Sequence, residues 1–283
     1  MRNATPRAPR PDGPRRRCHA LRAILGGLAL SVALGCFGAG RAAATERPAK
    51  DEESPVVAPG WIRWSSGGEY GDGPGNHTAR SITSAISTGL SPGTDLTVSG
   101  AYVELKTPGV SRTRGWGDPL VAVRSRFLTQ RGARPDLDYT LAVKIPSGDY
   151  WKGLGTEEAD FVTYLAAGNH VGRVDLNVNA GMTVVGLPHR QHRQSDSFLF
   201  GFAARAPVAP RTSVLLDVFQ ETHVNTRRNP FATYEDYGTA AILDLRTEVF
   251  GVNWDAGVFH PFDPATDIWG FTIGGMVEFR VPR

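Results

Sequence analysis

Between Arg173 and Val184 the chain reads Arg173-Val174-Asp175-Leu176-Asn177-Val178-Asn179-Ala180-Gly181-Met182-Thr183-Val184. Every second residue is apolar: Val174, Leu176, Val178, Ala180, Met182 and Val184. The residues between them are Arg173, Asp175, Asn177, Asn179, Gly181 and Thr183. A helix would scatter the two sets around its circumference. An extended strand repeats every two residues and puts each set on its own face. The alternation therefore calls for a strand that meets an apolar medium on one side and water on the other.

The same pattern recurs outward from this segment. Leu137, Tyr139, Leu141, Val143 and Ile145 alternate with Asp138, Thr140 and Lys144. Phe250, Val252, Trp254, Ala256 and Val258 alternate with Gly251, Asn253, Asp255 and Gly257. Trp269, Phe271, Ile273, Gly275, Val277 and Phe279 oppose Gly270, Thr272, Gly274, Glu278 and Arg280. Turn residues divide the rest into further strands, giving twelve: 60–70, 78–90, 94–106, 117–129, 136–147, 158–168, 173–186, 196–206, 211–224, 236–247, 249–260 and 268–280. Segments 94–106, 158–168 and 211–224 rest on spacing, because apolar residues fall in both parities.

Most of these segments exceed the roughly 5–6 residues of an ordinary strand and match the roughly 9–11 that cross a bilayer on a tilt. Odd-numbered connections are long (71–77, 107–116, 148–157, 187–195, 225–235, 261–267). Even-numbered ones are mostly shorter (91–93, 130–135, 169–172, 207–210, about 248). An even strand count puts both termini on one side and all long loops on the other, as in outer-membrane barrels. The expected fold is all-β: a transmembrane antiparallel up-and-down β-barrel of about twelve strands, closed so that no long edge is left bare.

Residues 1–44 read as a secretory signal peptide. Arg2, Arg7, Arg10, Arg15, Arg16, Arg17 and Arg22 precede the apolar run Ala23–Gly40 and the small residues Ala42-Ala43-Ala44. An uncleaved anchor, a lipid on Cys36 and a start codon after Met1 are the alternatives. Residues 45–59 read as a flexible periplasmic linker and 60–283 as the barrel. The chain has 31 basic and 28 acidic residues; eight arginines and one aspartate leave with residues 1–44, so the remainder carries a net charge of −4. The basic balance of the whole chain thus belongs to the leader and argues for no nucleic-acid partner. Cys18 and Cys36 also lie in the leader, which excludes disulfide scaffolding, thiol catalysis and thiolate metal sites in the barrel.

The inward face offers lumen-lining candidates: Arg124, Arg126, Lys144, Arg173, Asp175, Asn177, Asn179, Asp244, Arg246, Asn253, Asp255 and Glu278. Such mixed charges either line a permeation path or pair across the interior and plug it. Trp61, Trp64, Trp116, Tyr150, Trp151, Tyr237 and Trp269 are candidates for interfacial girdles. His189 and His192, and Glu157, Glu158 and Asp160, lack the companion ligands or spacing of a metal site and read as solvated loops. No Gly-x-Ser-x-Gly elbow occurs, no catalytic residue is singled out and no cofactor is implied. Thr272-x-Gly274-x-x-Val277-x-Phe279 resembles the terminal signal presented to the barrel assembly machinery, with four residues following it.

Gly115-Trp116-Gly117-Asp118-Pro119 with Val123 to Leu128, Lys144-Ile145-Pro146-Ser147-Gly148, Gly153-Leu154-Gly155-Thr156 with Asp160, and Asn177 to Gly181 occur in the order of a known motif set. In these elements the chain resembles the outer-membrane family named for phenol meta-pathway degradation, whose members are described as transporters. The resemblance implies an outer-membrane barrel of Gram-negative bacteria that passes small hydrophobic or aromatic solutes. The expected function is channel-type transport by passive diffusion through a monomer, with outer-membrane lipid and lipopolysaccharide, the assembly machinery and a small solute as partners. The alternatives are a lipid-modifying enzyme of the phospholipase or deacylase type, and a structural barrel without transport.

Overall fold

The computed structural model describes residues 55–73, 77–106, 112–156, 158–186, 195–223, 239–262 and 269–281. The expected leader, most of the linker, Glu157, His189, His192 and Tyr237 lie outside the described residues.

Thirteen strands form one sheet: β1 (Trp61–Gly73), β2 (His77–Ser91), β3 (Thr94–Lys106), β4 (Thr113–Trp116), β5 (Leu120–Leu128), β6 (Asp136–Lys144), β7 (Asp160–Val171), β8 (Val174–Val185), β9 (Ser195–Ala209), β10 (Thr212–His223), β11 (Thr239–Val249), β12 (Val252–Pro261) and β13 (Trp269–Arg280). All pairings between them are antiparallel, and β1 pairs with β13, which closes the barrel. β4 pairs with Tyr102–Leu105 of β3 and β5 with Thr94–Ser99 of the same strand. They are two parts of one staves' position, so the barrel wall counts twelve. No helix among the described residues is long and apolar enough to cross a membrane.

Register carries the alternation around the wall. Arg63 pairs with Glu278 and Ser87, Asp95 with Arg124 and Gly89, Asn179 with Ala166 and Gly201, and Asp244 with Leu215 and Gly257, all on the inner face. The opposite parity is the outer face. There Ile86, Val98, Leu141, Leu165, Val178, Phe200, Leu243 and Phe271 are exposed. A large continuous apolar exterior is unfavourable in water and is what acyl chains require.

Inner-face glycines have a steric reason. Tyr164 lies over Gly181 of the next strand, Asn179 over Gly201, Asp244 over Gly257 and Phe259 over Gly270. The inside of a barrel has less circumference than its wall, so inward side chains crowd. Leaning each one onto the glycine of the following strand lays it against the wall.

Three departures from the expected elements concern a strand break, a turn and the mouth of the barrel. Gly117–Pro119 interrupt the strand expected at 117–129, and β4 forms above the break. The β11–β12 turn is Phe250-Gly251, with φ 55° and 79°, so Phe250 is 94 % exposed in a turn rather than on a strand face. Two consecutive positive φ values match the twist of a two-residue hairpin, and the sequence lacks the usual Asn-Gly signature there. Residues 55–58, the described end of the expected linker, lie inside the mouth of the barrel. The backbone N–H of Val57 donates to Asp95 Oδ2 at 2.8 Å, Val57 is buried, and Pro59 bridges to Gly89.

Candidate functional site

The half of the lumen nearer the termini is lined by paired charges. Arg63 bonds Glu278, Arg124 bonds Asp95 at 2.8 Å, and Arg126 reaches Asp138 at 2.6 Å and Asp136 at 3.4 Å. Asp175 accepts from Arg205 and from His170. Arg246, Asn253 and Asp255 line the same cavity as Arg63 and Arg124. Asp244 is fully buried and accepts from the Thr272 hydroxyl at 2.8 Å. In the ion pairs Arg63–Glu278, Arg124–Asp95, Arg126–Asp138 and Arg205–Asp175 the two partners stand on adjacent strands. Short cross-strand reach lets the charges neutralise one another against the wall rather than across the axis.

Of the sequence candidates, Arg124, Arg126, Lys144, Asp175, Asn177, Asn179, Asp244, Arg246, Asn253, Asp255 and Glu278 share the inner face. They do not form one ring. Lys144 lies at the far end, paired with Asp160, and Arg173 lies exposed in the Gly172-Arg173 turn, off the strand on which it was expected. In β13, Thr272 and Gly274 face inward while Val277 and Phe279 face outward. Trp61, Trp116 and Trp269 stand exposed at strand ends, Trp151 and Tyr150 in a loop, and Trp64 is half-buried with its indole N–H on Ser84.

The half nearer the long loops is different. Leu120, Val162, Leu199, Phe219, Ile242 and Phe259 all point inward near the loop ends of their strands. Leu120, Leu199, Ile242 and Phe259 are buried. Ile242 and Phe259 pack with Phe219, and Leu120 packs with Ala122, Ala142 and Val162. Period-two reading assigned the wet face of these strands to polar residues alone, and so missed this lining. The signal was present as the mixed parity of 158–168 and 211–224.

Asp118 is a second residue that pattern reading missed. Its buried carboxylate accepts from the backbone N–H groups of Ser147 (2.8 Å) and Gly148 (2.7 Å) through Oδ1, and from the N–H (2.7 Å) and hydroxyl (3.2 Å) of Thr156 through Oδ2. Gly148 and Gly155 touch, and Leu154 is buried against Gly115. A Cβ on Gly155 would stand 2.5 Å from Asp118 Oδ1. The three motifs around Gly115, Gly148 and Gly155 are thus one structural unit that folds the loop after β6 over the barrel. Asp118 also lines the cavity below.

That cavity measures about 250 Å³. One wall is made of small residues from β13, β1, β2 and β3: Gly274, Ser65, Gly67, Thr83, Ala85 and Ser99. Facing it are Leu120, Ala122, Arg124, Thr140 and Tyr164. Residues 55–58 narrow its exit toward the termini. Arg63 Nη2 donates to the carbonyl of Pro55 at 2.5 Å and Arg124 Nη2 reaches it at 3.4 Å, so two guanidinium groups hold one carbonyl. Among the described residues no group of His, Asp or Glu is arranged to hold a metal ion.

The fold has known counterparts. The barrel is of the outer-membrane type. It is similar to the COG4313 outer membrane channel from Pseudomonas putida F1 (TM-score 0.56, 11% identity, 80% of this chain and 97% of that one). It is also similar to the NanC porin (0.56, 9%, 75% and 98%). A third likeness is to the translocator domain of the autotransporter NalP from Neisseria meningitidis (0.52, 12%, 83% and 94%). At these identities the likeness is one of fold. No protein-family model matches the chain, and no curated protein matches it.

Proposed function

We propose that this chain is an outer-membrane channel that passes small, largely apolar solutes by passive diffusion. The observation that carries the reading is the two-part lumen. A solute entering from the loop side meets Leu120, Val162, Leu199, Phe219, Ile242 and Phe259, then the 250 Å³ cavity with its wall of Ser, Gly, Ala and Thr. Apolar lining lowers the cost of taking an apolar solute out of water, while the small polar wall leaves room for it. Below, Arg63, Arg124, Arg126 and Arg205 are each paired with a carboxylate, which weakens any single-sign field that would select ions. The structures with which the barrel shares its fold include two whose names describe a channel and a porin, which agrees with this reading.

The test is flux through the full chain reconstituted in liposomes. A monocyclic aromatic alcohol should equilibrate faster than into protein-free liposomes, and Phe219→Asp should slow it while the barrel still shows heat-modifiable gel migration. Equal rates with and without folded protein would remove the channel reading.

A further inference from the structure

The outer wall is almost free of charge. Among the described outward positions of the strands, the only charged residues are Asp72, Arg80, Glu104, Lys106, Arg114 and Asp196. All the cations fall on β2, β3 and β4, at their loop ends, and Arg112 adjoins them just before β4. Glu104 gathers them: it lies 3.8 Å from Arg80 and 3.2 Å from Arg112, and pairs across the ladder with Arg114. Arg80 also stands over the Tyr70 ring. Arg112, Arg114 and Lys106 are exposed.

Their height is set by the aromatics below. Tyr102 and Trp116 are cross-strand partners in edge-to-face contact, and Trp116 is 67 % exposed on the outer wall. Exposed outward tryptophan marks the boundary between acyl chains and headgroups. Arg114 and Glu104 are the next outward positions along the same strands, about 7 Å farther toward the loops. The cations therefore face sideways into the headgroup layer of the outer leaflet.

We propose that Arg80, Lys106, Arg112 and Arg114 form a binding site for the phosphate groups of lipopolysaccharide. Four cations against the two carboxylates Asp72 and Glu104 leave a net positive corner on a wall that is otherwise uncharged there. A phosphate carries more than one negative charge and is matched by guanidinium forks. The site lies outside the lumen, so it stands or falls independently of solute transport.

The test uses the full chain folded in detergent, titrated with deep-rough lipopolysaccharide carrying both lipid A phosphates and with the same lipid dephosphorylated. The folded chain should bind the phosphorylated lipid more tightly. The double variant Arg112→Ala/Arg114→Ala should bind it about 30-fold more weakly, two basic side chains each contributing to attraction at a headgroup surface. Solute flux should be unchanged. Arg131→Ala/Arg134→Ala, in the turn at the opposite end, should bind as the parent does. Lys106→Ala gives a milder second reading if the double variant folds poorly. Equal affinity for the two lipids, or parent-like binding by both the double variant and Lys106→Ala, would overturn the proposal.

Discussion

Gly181→Ala should destabilise the barrel although it adds a single methyl group. A Cβ at this position would lie 2.2 Å from the Thr163 carbonyl oxygen, 2.3 Å from Tyr164 Cβ and 2.8 Å from Tyr164 Cα. Ordinary contact begins at 3.4 Å, so the shortfall approaches an ångström or more, and two of the three atoms are backbone. Overpacking of this kind costs about 1–3 kcal/mol, and backbone obstruction favours the upper end. Loss of glycine freedom in the unfolded chain returns about 0.4–1 kcal/mol. The net expectation is about 2 kcal/mol of destabilisation, and Tyr164 is pushed off the wall into the cavity that it lines. Gly100, which faces outward with nothing within 4 Å of its Cβ position, is the control. Gly100→Ala should be neutral or slightly stabilising. Reversible urea unfolding in short-chain lipid vesicles, followed by tryptophan fluorescence, measures both, and planar-bilayer conductance reads the displaced Tyr164. Unchanged stability in Gly181→Ala, or greater damage from Gly100→Ala, would refute the account of inner-face glycines as seats for neighbouring side chains.

Asp118→Asn keeps one acceptor oxygen but points an amide at backbone donors. Hydrogen bonds to a charged group contribute about 1.5–3 kcal/mol each, so trypsin should cleave at Lys152 at least tenfold faster; cleavage at the parental rate would count against the loop anchor. Val178→Arg should cost about 2–4 kcal/mol on the lipid-facing wall and impair insertion, while Asn177→Arg, on the inner face, should fold and alter flux. Equal damage from both would contradict the face assignment. In the exposed loop, hydrogen bonding from Lys152 holds the Asp149 carboxyl below the usual carboxylate range. Its stabilisation of the short 3-10 turn Tyr150–Lys152 is present above the ordinary aspartate value of about 3.9 and disappears as pH falls through the lower folded value. Amide exchange at Lys152 should therefore differ between the parent and Asp149→Asn at pH 6, and the difference should shrink as acid protonates the Asp149 carboxyl; a difference that does not shrink with acidification would contradict this linkage.

Strand number, length and sidedness were readable because lipid imposes one rule on the outer face. Every outward position of β8, from Val174 to Val184, obeys it. The inner face obeys no such rule, since a lumen accepts Asp217 and Phe219 two residues apart on one strand. That is why β10 looked ambiguous and why the apolar upper lumen was not foreseen. Long-range polar contacts were hidden for a different reason. Val57 meets Asp95 from 38 residues away and Pro55 meets Arg124 from 69, and nothing local in residues 55–58 announces either partner. The break at Gly117–Pro119 likewise follows from Asp118 binding a loop about 30 residues downstream.

Because both cysteines lie in the first 36 residues, a chain lacking residues 1–44 accepts single spin labels without background. Labels placed in turn at Asn177, Val178, Asn179 and Ala180 in liposomes should alternate: 178 and 180 open to lipid-dissolved oxygen, 177 and 179 open to a water-soluble nickel complex. Accessibility that fails to alternate along β8, or nickel reaching all four positions alike, would contradict a wall that is oily outside and wet within.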